Sequence, residues 1–148
     1  MKLACLAALL LVLPGAGQSA VPRNLPSRVL TPGFLNPEVT QANLSSTVCV
    51  SGYSATIRPP TSYTNFLKTE ELRYRKMPGA VSDYQLDHFI SLSLGGSPFD
   101  TRNLWMESEP EARVVDKLEA GWHRDLCAGR LTLKQAQTAE RAYKRAHG

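Results

Sequence analysis

Apolar and polar positions alternate from Tyr84. Tyr84, Leu86, His88, Ile90, Leu92 and Leu94 fall on one side, and Gln85, Asp87, Phe89, Ser91 and Ser93 on the other. A period of two predicts a half-buried strand. Gly95-Gly96 and Ser97-Pro98 break it into a loop, and Asn103 to Glu107 returns as a second strand. The period then lengthens. Glu111, Val115, Leu118 and Trp122 recur at helical spacing in a stretch opened by Ser108 and stopped near Gly129, which predicts a helix. Thr132 and Gln135 form a capping-box pattern for a last helix, with Leu131 and Ala136 as its staple. That helix runs to about Ala146 with a stripe of Leu133, Ala136, Ala139 or Glu140, and Tyr143.

Upstream, "TVCVSGYSATIR" reads as two short β-rich runs around Ser51-Gly52, which predicts a hairpin. Pro59-Pro60 ends it. "TSYTNFLKTEELRYRKM" predicts a helix capped by Thr61 or Ser62. Arg73, Arg75 and Lys76 at its end suit a helix C-terminus, with phosphate contact as the alternative. Val21 to Ser46 is rich in Pro, Asn, Ser and Thr and reads as irregular, with one helical turn expected at Asn36-Pro37.

The first twenty residues, "MKLACLAALLLVLPGAGQSA", place Lys2 before an apolar run from Leu3 to Leu13, then Pro14 and small residues. That run is too short to span a bilayer as a helix and has the flanks of a secretory signal peptide. The expectation is a protein exported to the periplasm or the medium, with no membrane span in the mature chain. The other 128 residues of the 148 suffice for a single domain with a modest core. The formal net charge of +4, which loses Lys2 with the leader, permits a nucleic-acid partner without demanding one. Two of the three cysteines, Cys49 and Cys127, lie beyond the leader. In an oxidising compartment two thiols allow one bridge; two separate buried thiols are the alternative.

Candidate chemistry gathers at Asp87-His88, Gly95-Gly96 and Asn103. Each residue has an ordinary explanation: a satisfied core histidine, a solvated carboxylate, a turn asparagine. Together they suit phosphodiester hydrolysis. That reaction needs an activated water, a charge sink for the departing oxygen and rigid alignment of both. A neutral imidazole takes a proton from water, and a carboxylate holds a divalent cation. Neighbours on an ideal strand point to opposite faces, so Asp87 and His88 share a site only if the chain bends there. An asparagine on the returning segment can hold such a bend.

"LDHFISLSLGG" followed by "RNLW" resembles the core of the HNH, or ββα-metal, nucleases. With "TPGFLNPEVTQ", "VCVSGYSATIRPPTSYTNFLK", "KLE" and "LCAGRLTLKQAQ", the chain is similar from Thr31 to Tyr143 to small exported bacterial HNH-like proteins. The resemblance implies an α+β fold: a ββα-metal core over residues 47–148, with additional helices and a short N-terminal β-hairpin. It makes His88 the general base, Asn103 the residue that orients the histidine loop, and Asp87 a metal ligand. The ion would be Mg²⁺, with Mn²⁺ or Zn²⁺ as alternatives. The family's further ligand, a His or Asn on the following helix, is replaced here by Glu111, which can equally be the last residue of a Ser108-Glu109-Pro110-Glu111 capping box. Asp116, Glu119 and His123 resemble metal-ligand spacing but read as a solvated face. Arg102, Arg113, Lys117 and Arg124 are available to the phosphates of DNA or, alternatively, RNA. The implied activity is a secreted or periplasmic endonuclease. The rival is an impaired scaffold that binds nucleic acid or an envelope partner. Oligomeric state is left open.

Overall fold

The computed structural model describes residues 24–147, so the leader expected over residues 1–20 lies outside the described residues. The fold is mixed α+β. In chain order it comprises α1 (Tyr53–Ile57), α2 (Thr61–Tyr74), β1 (Tyr84–His88), β2 (Leu104–Ser108), α3 (Glu109–Cys127) and α4 (Leu133–His147). The two strands pair antiparallel, with Tyr84 opposite Ser108 and His88 opposite Leu104.

The alternation from Tyr84 predicts a strand reaching Leu94, whereas β1 ends at His88. Phe89, Ile90 and Ser91 are all buried, so the period of two no longer separates two faces. Asn103 takes over from the ladder at this point. Its Oδ1 accepts from Ile90 N (2.9 Å), and its Nδ2 donates to the carbonyls of Ile90 (2.9 Å) and Ser97 (3.0 Å). The loop needs both glycines. Gly95 has φ +78°, and a Cβ on Gly96 would stand 1.7 Å from the Ile90 carbonyl oxygen.

The hairpin expected about Ser51-Gly52 does not form. Its backbone donors satisfy local carbonyls instead: Cys49 N bonds Leu44 O and Val50 N bonds Thr47 O. Gly52, at φ +82°, then opens α1. Val48 is buried as in a strand, but it joins the core from a turn. Residues 24–40 run largely without regular structure, and Gln41–Ser46 forms a 3-10 helix. Asn36-Pro37 makes a tight turn rather than a helical one, closed by Val39 N to Asn36 O. This N-terminal segment is tied to α4 by Arg145, which donates to the carbonyls of Pro26 (2.6 Å) and Thr31 (2.7 Å).

α2 starts at Thr61, but neither Thr61 nor Ser62 caps it; Pro60 holds the cap position without a side-chain bond. Its basic end is paired within the helix, Arg73 with Glu70 and Arg75 with Glu71. α4 does have its capping box: Thr132 N donates to Gln135 Oε1 (2.8 Å), and Gln135 N to Thr132 Oγ1 (3.2 Å). Its inward face is more polar than the stripe predicts, with Gln137, Glu140 and Lys144 buried beside Leu133 and Ala136. The core itself joins Phe89, Ile90 and Leu94 from the loop to Trp105 of β2, Leu126 of α3 and Ala136 of α4. Cys49 and Cys127 are bridged, with Cα atoms 5.5 Å apart. Among the described residues no helix is long and apolar enough to cross a membrane.

Candidate active site

A polar cavity of about 300 Å³ opens where β1 ends. Asp87 and His88 line it from the strand, Asp116 and Glu119 from α3, and Arg58, Thr61 and Thr64 from the start of α2 and the residues before it. The end of β1 brings Asp87 and His88 to one cavity although they are sequence neighbours.

His88 is recessed, with only 4% of its surface exposed. Its Nε2 lies 3.0 Å from the Pro98 carbonyl oxygen. A carbonyl can only accept, so Nε2 carries a proton and Nδ1 keeps the lone pair of the neutral ring. Asn103 fixes the same loop on either side of that contact, through Ile90 and Ser97. Burial lowers the His88 pKa from its usual 6.5, against the opposing effects of the Asp87 carboxylate and the bond to Pro98. The imidazole is therefore neutral at neutral pH.

The acids sit around a buried ammonium. Lys144, fully buried on α4, donates to Asp87 Oδ2 (2.8 Å) and to the His88 carbonyl (2.6 Å). It also lies 2.6 Å from Glu119 Oε1 and 3.3 Å from Glu140 Oε1. The Glu119 contact is a close ion pair. Burial pushes the Lys144 pKa down, but the carboxylates of Asp87, Glu140 and Glu119 outweigh it and hold it well above the usual lysine value. Burial raises Glu119 and Glu140, and raises Asp116 with help from Asp87. Glu107 faces the same charges from β2. It is 1% exposed, neither carboxylate oxygen has a hydrogen-bond partner among the described residues, and burial with Asp87 pushes its pKa up to about 8.

Asp87, Asp116 and Glu119 offer carboxylate oxygens at one cavity, the donor type that suits Mg²⁺ or Mn²⁺ better than Zn²⁺. Glu111 does not line it. Ser108 holds the cap position of α3 without a side-chain bond, so the capping box weighed for Glu111 is not made from that side either. Asp116, Glu119 and His123 do not form the single solvated face expected of them. The first two enter the cavity, whereas His123, further along the same face of α3, bonds the Val48 carbonyl through Nε2 (2.8 Å). Cys49, His123 and Cys127 bring three potential ligand atoms within 4.8 Å, but the two sulfurs are bonded to each other.

Of the arginines and lysine expected at phosphates, none lines the cavity. Arg102 is held by Asp100 through Nε (2.9 Å) and a terminal nitrogen (2.6 Å), and lies over the Phe34 ring. Arg113, Lys117 and Arg124 are exposed along α3. The cavity's arginine is Arg58, which the sequence marks only by the Pro59-Pro60 that follows. Lys144 lies outside the stripe predicted for α4, because its burial depends on partners from β1 and α3, whereas Glu140 belongs to that stripe and is buried. No family model matches the chain, and no curated protein or solved structure matches it.

Proposed function

We propose that the chain is a metal-dependent endonuclease of the HNH, or ββα-metal, type, acting in the periplasm or outside the cell. The observation that carries the reading is the held imidazole. His88 Nε2 is committed to Pro98 O while Asn103 clamps the loop, so Nδ1 keeps the lone pair of a ring that lines the same cavity as Asp87 and Asp116. The antiparallel pair running directly into α3 is the matching ββα order. The disulfide supports an oxidising compartment.

In this mechanism His88 Nδ1 accepts a proton from water as its oxygen bonds to phosphorus. The bond from phosphorus to the 3′ oxygen breaks, and that oxygen takes a proton from solvent. The products carry 5′-phosphate and 3′-hydroxyl ends. Asp87 and Asp116 would hold a divalent cation, which would supply charge stabilisation for the departing oxygen. Lys144 holds Asp87 through Oδ2, and the second oxygen is the one this reading assigns to the cation. DNA is the substrate of choice in this reading, with RNA as the alternative.

The test is incubation of the oxidised protein with plasmid and with RNA, in Mg²⁺, Mn²⁺ and chelator. Metal-dependent cleavage is expected, and His88→Ala should reduce the rate by roughly 10²–10⁴-fold while the protein still melts cooperatively. A second reading, a scaffold that binds without cleaving, is favoured by Lys144, whose ammonium already neutralises Asp87 and Glu119. Absence of cleavage under every metal condition would support it.

A further inference from the structure

The recess of His88 bears on which nucleic acid can reach it. The ring is almost wholly covered, and its cavity is lined by Asp87, Asp116 and Glu119, which repel phosphate. Arg58 is the only cation among the lining residues, and it has no salt bridge among the described residues. A phosphate entering the cavity therefore meets Arg58 as its positive side-chain contact.

An exposed aromatic side chain follows directly on the residue that holds His88. Phe99 follows Pro98, whose carbonyl holds His88, and is 53% exposed. Tyr63 braces it from α2, with ring centroids 5.7 Å apart and the Tyr63 hydroxyl donating to the Phe99 carbonyl (3.3 Å). Tyr63 lies between Thr61 and Thr64, both of which line the cavity. Tyr63, on the same turn of α2 as two lining residues, thus holds the Phe99 ring with part of its surface open to solvent.

The geometry points to a single-stranded substrate: Arg58 takes a backbone phosphate at the cavity and Phe99 stacks on a neighbouring base at its rim. The inference rests on the reading of this cavity as a nuclease centre, and it adds the form of the substrate. Duplex DNA is stiff, with a persistence length of about 50 nm, and keeps its bases stacked inside. A single strand bends into a recess and offers unstacked bases. An aromatic platform beside a cation is how single strands are gripped without regard to sequence.

Binding and cleavage can be read apart. A short labelled single-stranded oligonucleotide and its duplex are titrated by fluorescence anisotropy in EDTA, where a metal-dependent enzyme does not cut. Wild type should bind the single strand at least roughly ten-fold more tightly. Phe99→Ala should weaken single-strand binding by about 5- to 100-fold, leave duplex binding unchanged, and be rescued by Phe99→Trp. Arg58→Ala should weaken it and reduce the slope of log affinity against log salt by about 0.7. Both sites are on the surface, and a thermal melt of each variant checks that it is folded. Equal wild-type affinity for strand and duplex, or folded variants that bind the strand as wild type does, overturns the inference. Wild type that binds the strand as expected but never cleaves in Mg²⁺ or Mn²⁺ sinks the nuclease reading, and Arg58 and Phe99 then stand as a single-strand binding site without a substrate role.

Discussion

His88 and Glu107 sit on neighbouring strands, and burial shifts both, in opposite functional senses. For His88 burial favours the neutral ring, so its pKa falls below 6.5. Only the neutral ring accepts a proton. Cleavage should therefore rise with pH through an inflection below 6.5 and level off above it; a pH–rate profile of kcat/KM checks this, and an inflection above 6.5 would contradict the assigned environment. For Glu107 burial favours the protonated acid, with a pKa of about 8 against an ordinary 4.5. Between those values the folded state holds a proton that the unfolded state has lost. Stability from this group is therefore complete below about 4.5 and is lost as pH rises toward 8. Glu107→Gln keeps the shape and removes the charge. It should raise the melting temperature at pH 8.5 and leave it nearly unchanged at pH 5, read by circular dichroism. Equal shifts at both would show that Glu107 is paired in solution.

The elements that were legible in the sequence are those whose stability is local. α2, α3 and α4 declare themselves by length, by periodicity and, for α4, by a capping box that forms as written. β1 and β2 follow from alternation up to His88. What alternation cannot convey is the place where a side chain replaces the ladder. Asn103 bonds both backbone groups of Ile90, so the chain leaves the sheet while its pattern continues as if in a strand. The hairpin expected near Cys49 is absent for a related reason: β-branched residues suggest a strand, and no second strand pairs with them among the described residues. At the site, His88, Asp87 and Asn103 were readable from types and order, whereas Arg58 and Lys144 come from distant elements that only folding brings in. The glycine loop gives a test at this scale. Gly96→Ala puts a methyl against the Ile90 carbonyl and Asn103 Nδ2, at 1.7 and 2.7 Å. The loop must then move and His88 loses its aim. A loss of activity comparable to that of His88→Ala is expected, with a lowered melting temperature. Near-wild-type cleavage would show that Asn103 does not fix the loop during catalysis.

Across the whole molecule, one covalent link joins the N-terminal half to the last two helices. Cys49 precedes α1 and Cys127 ends α3, at a sequence separation of 78. Around the bridge, Val48 packs into the core, and its carbonyl accepts from His123. The link therefore holds the segment leading to Arg58 and α2 against the helix that supplies Asp116 and Glu119, which are two walls of the cavity. Closing a loop of this length stabilises the folded state by about 4 kcal/mol in the chain-entropy model, a large share of the ~5–15 kcal/mol typical of a domain. Reduction should lower the melting temperature by on the order of 10 °C. Intact mass should rise by two hydrogens on reduction, and alkylation of the unreduced protein should find no free thiol. Because the bridge stands away from His88, the residual folded fraction should keep its pH–rate inflection while single-strand affinity falls, since Arg58 and the α3 carboxylates are no longer held at a fixed separation. Reduction that leaves both the melting temperature and single-strand affinity unchanged would mean that packing around Val48 and His123 alone sets the two walls.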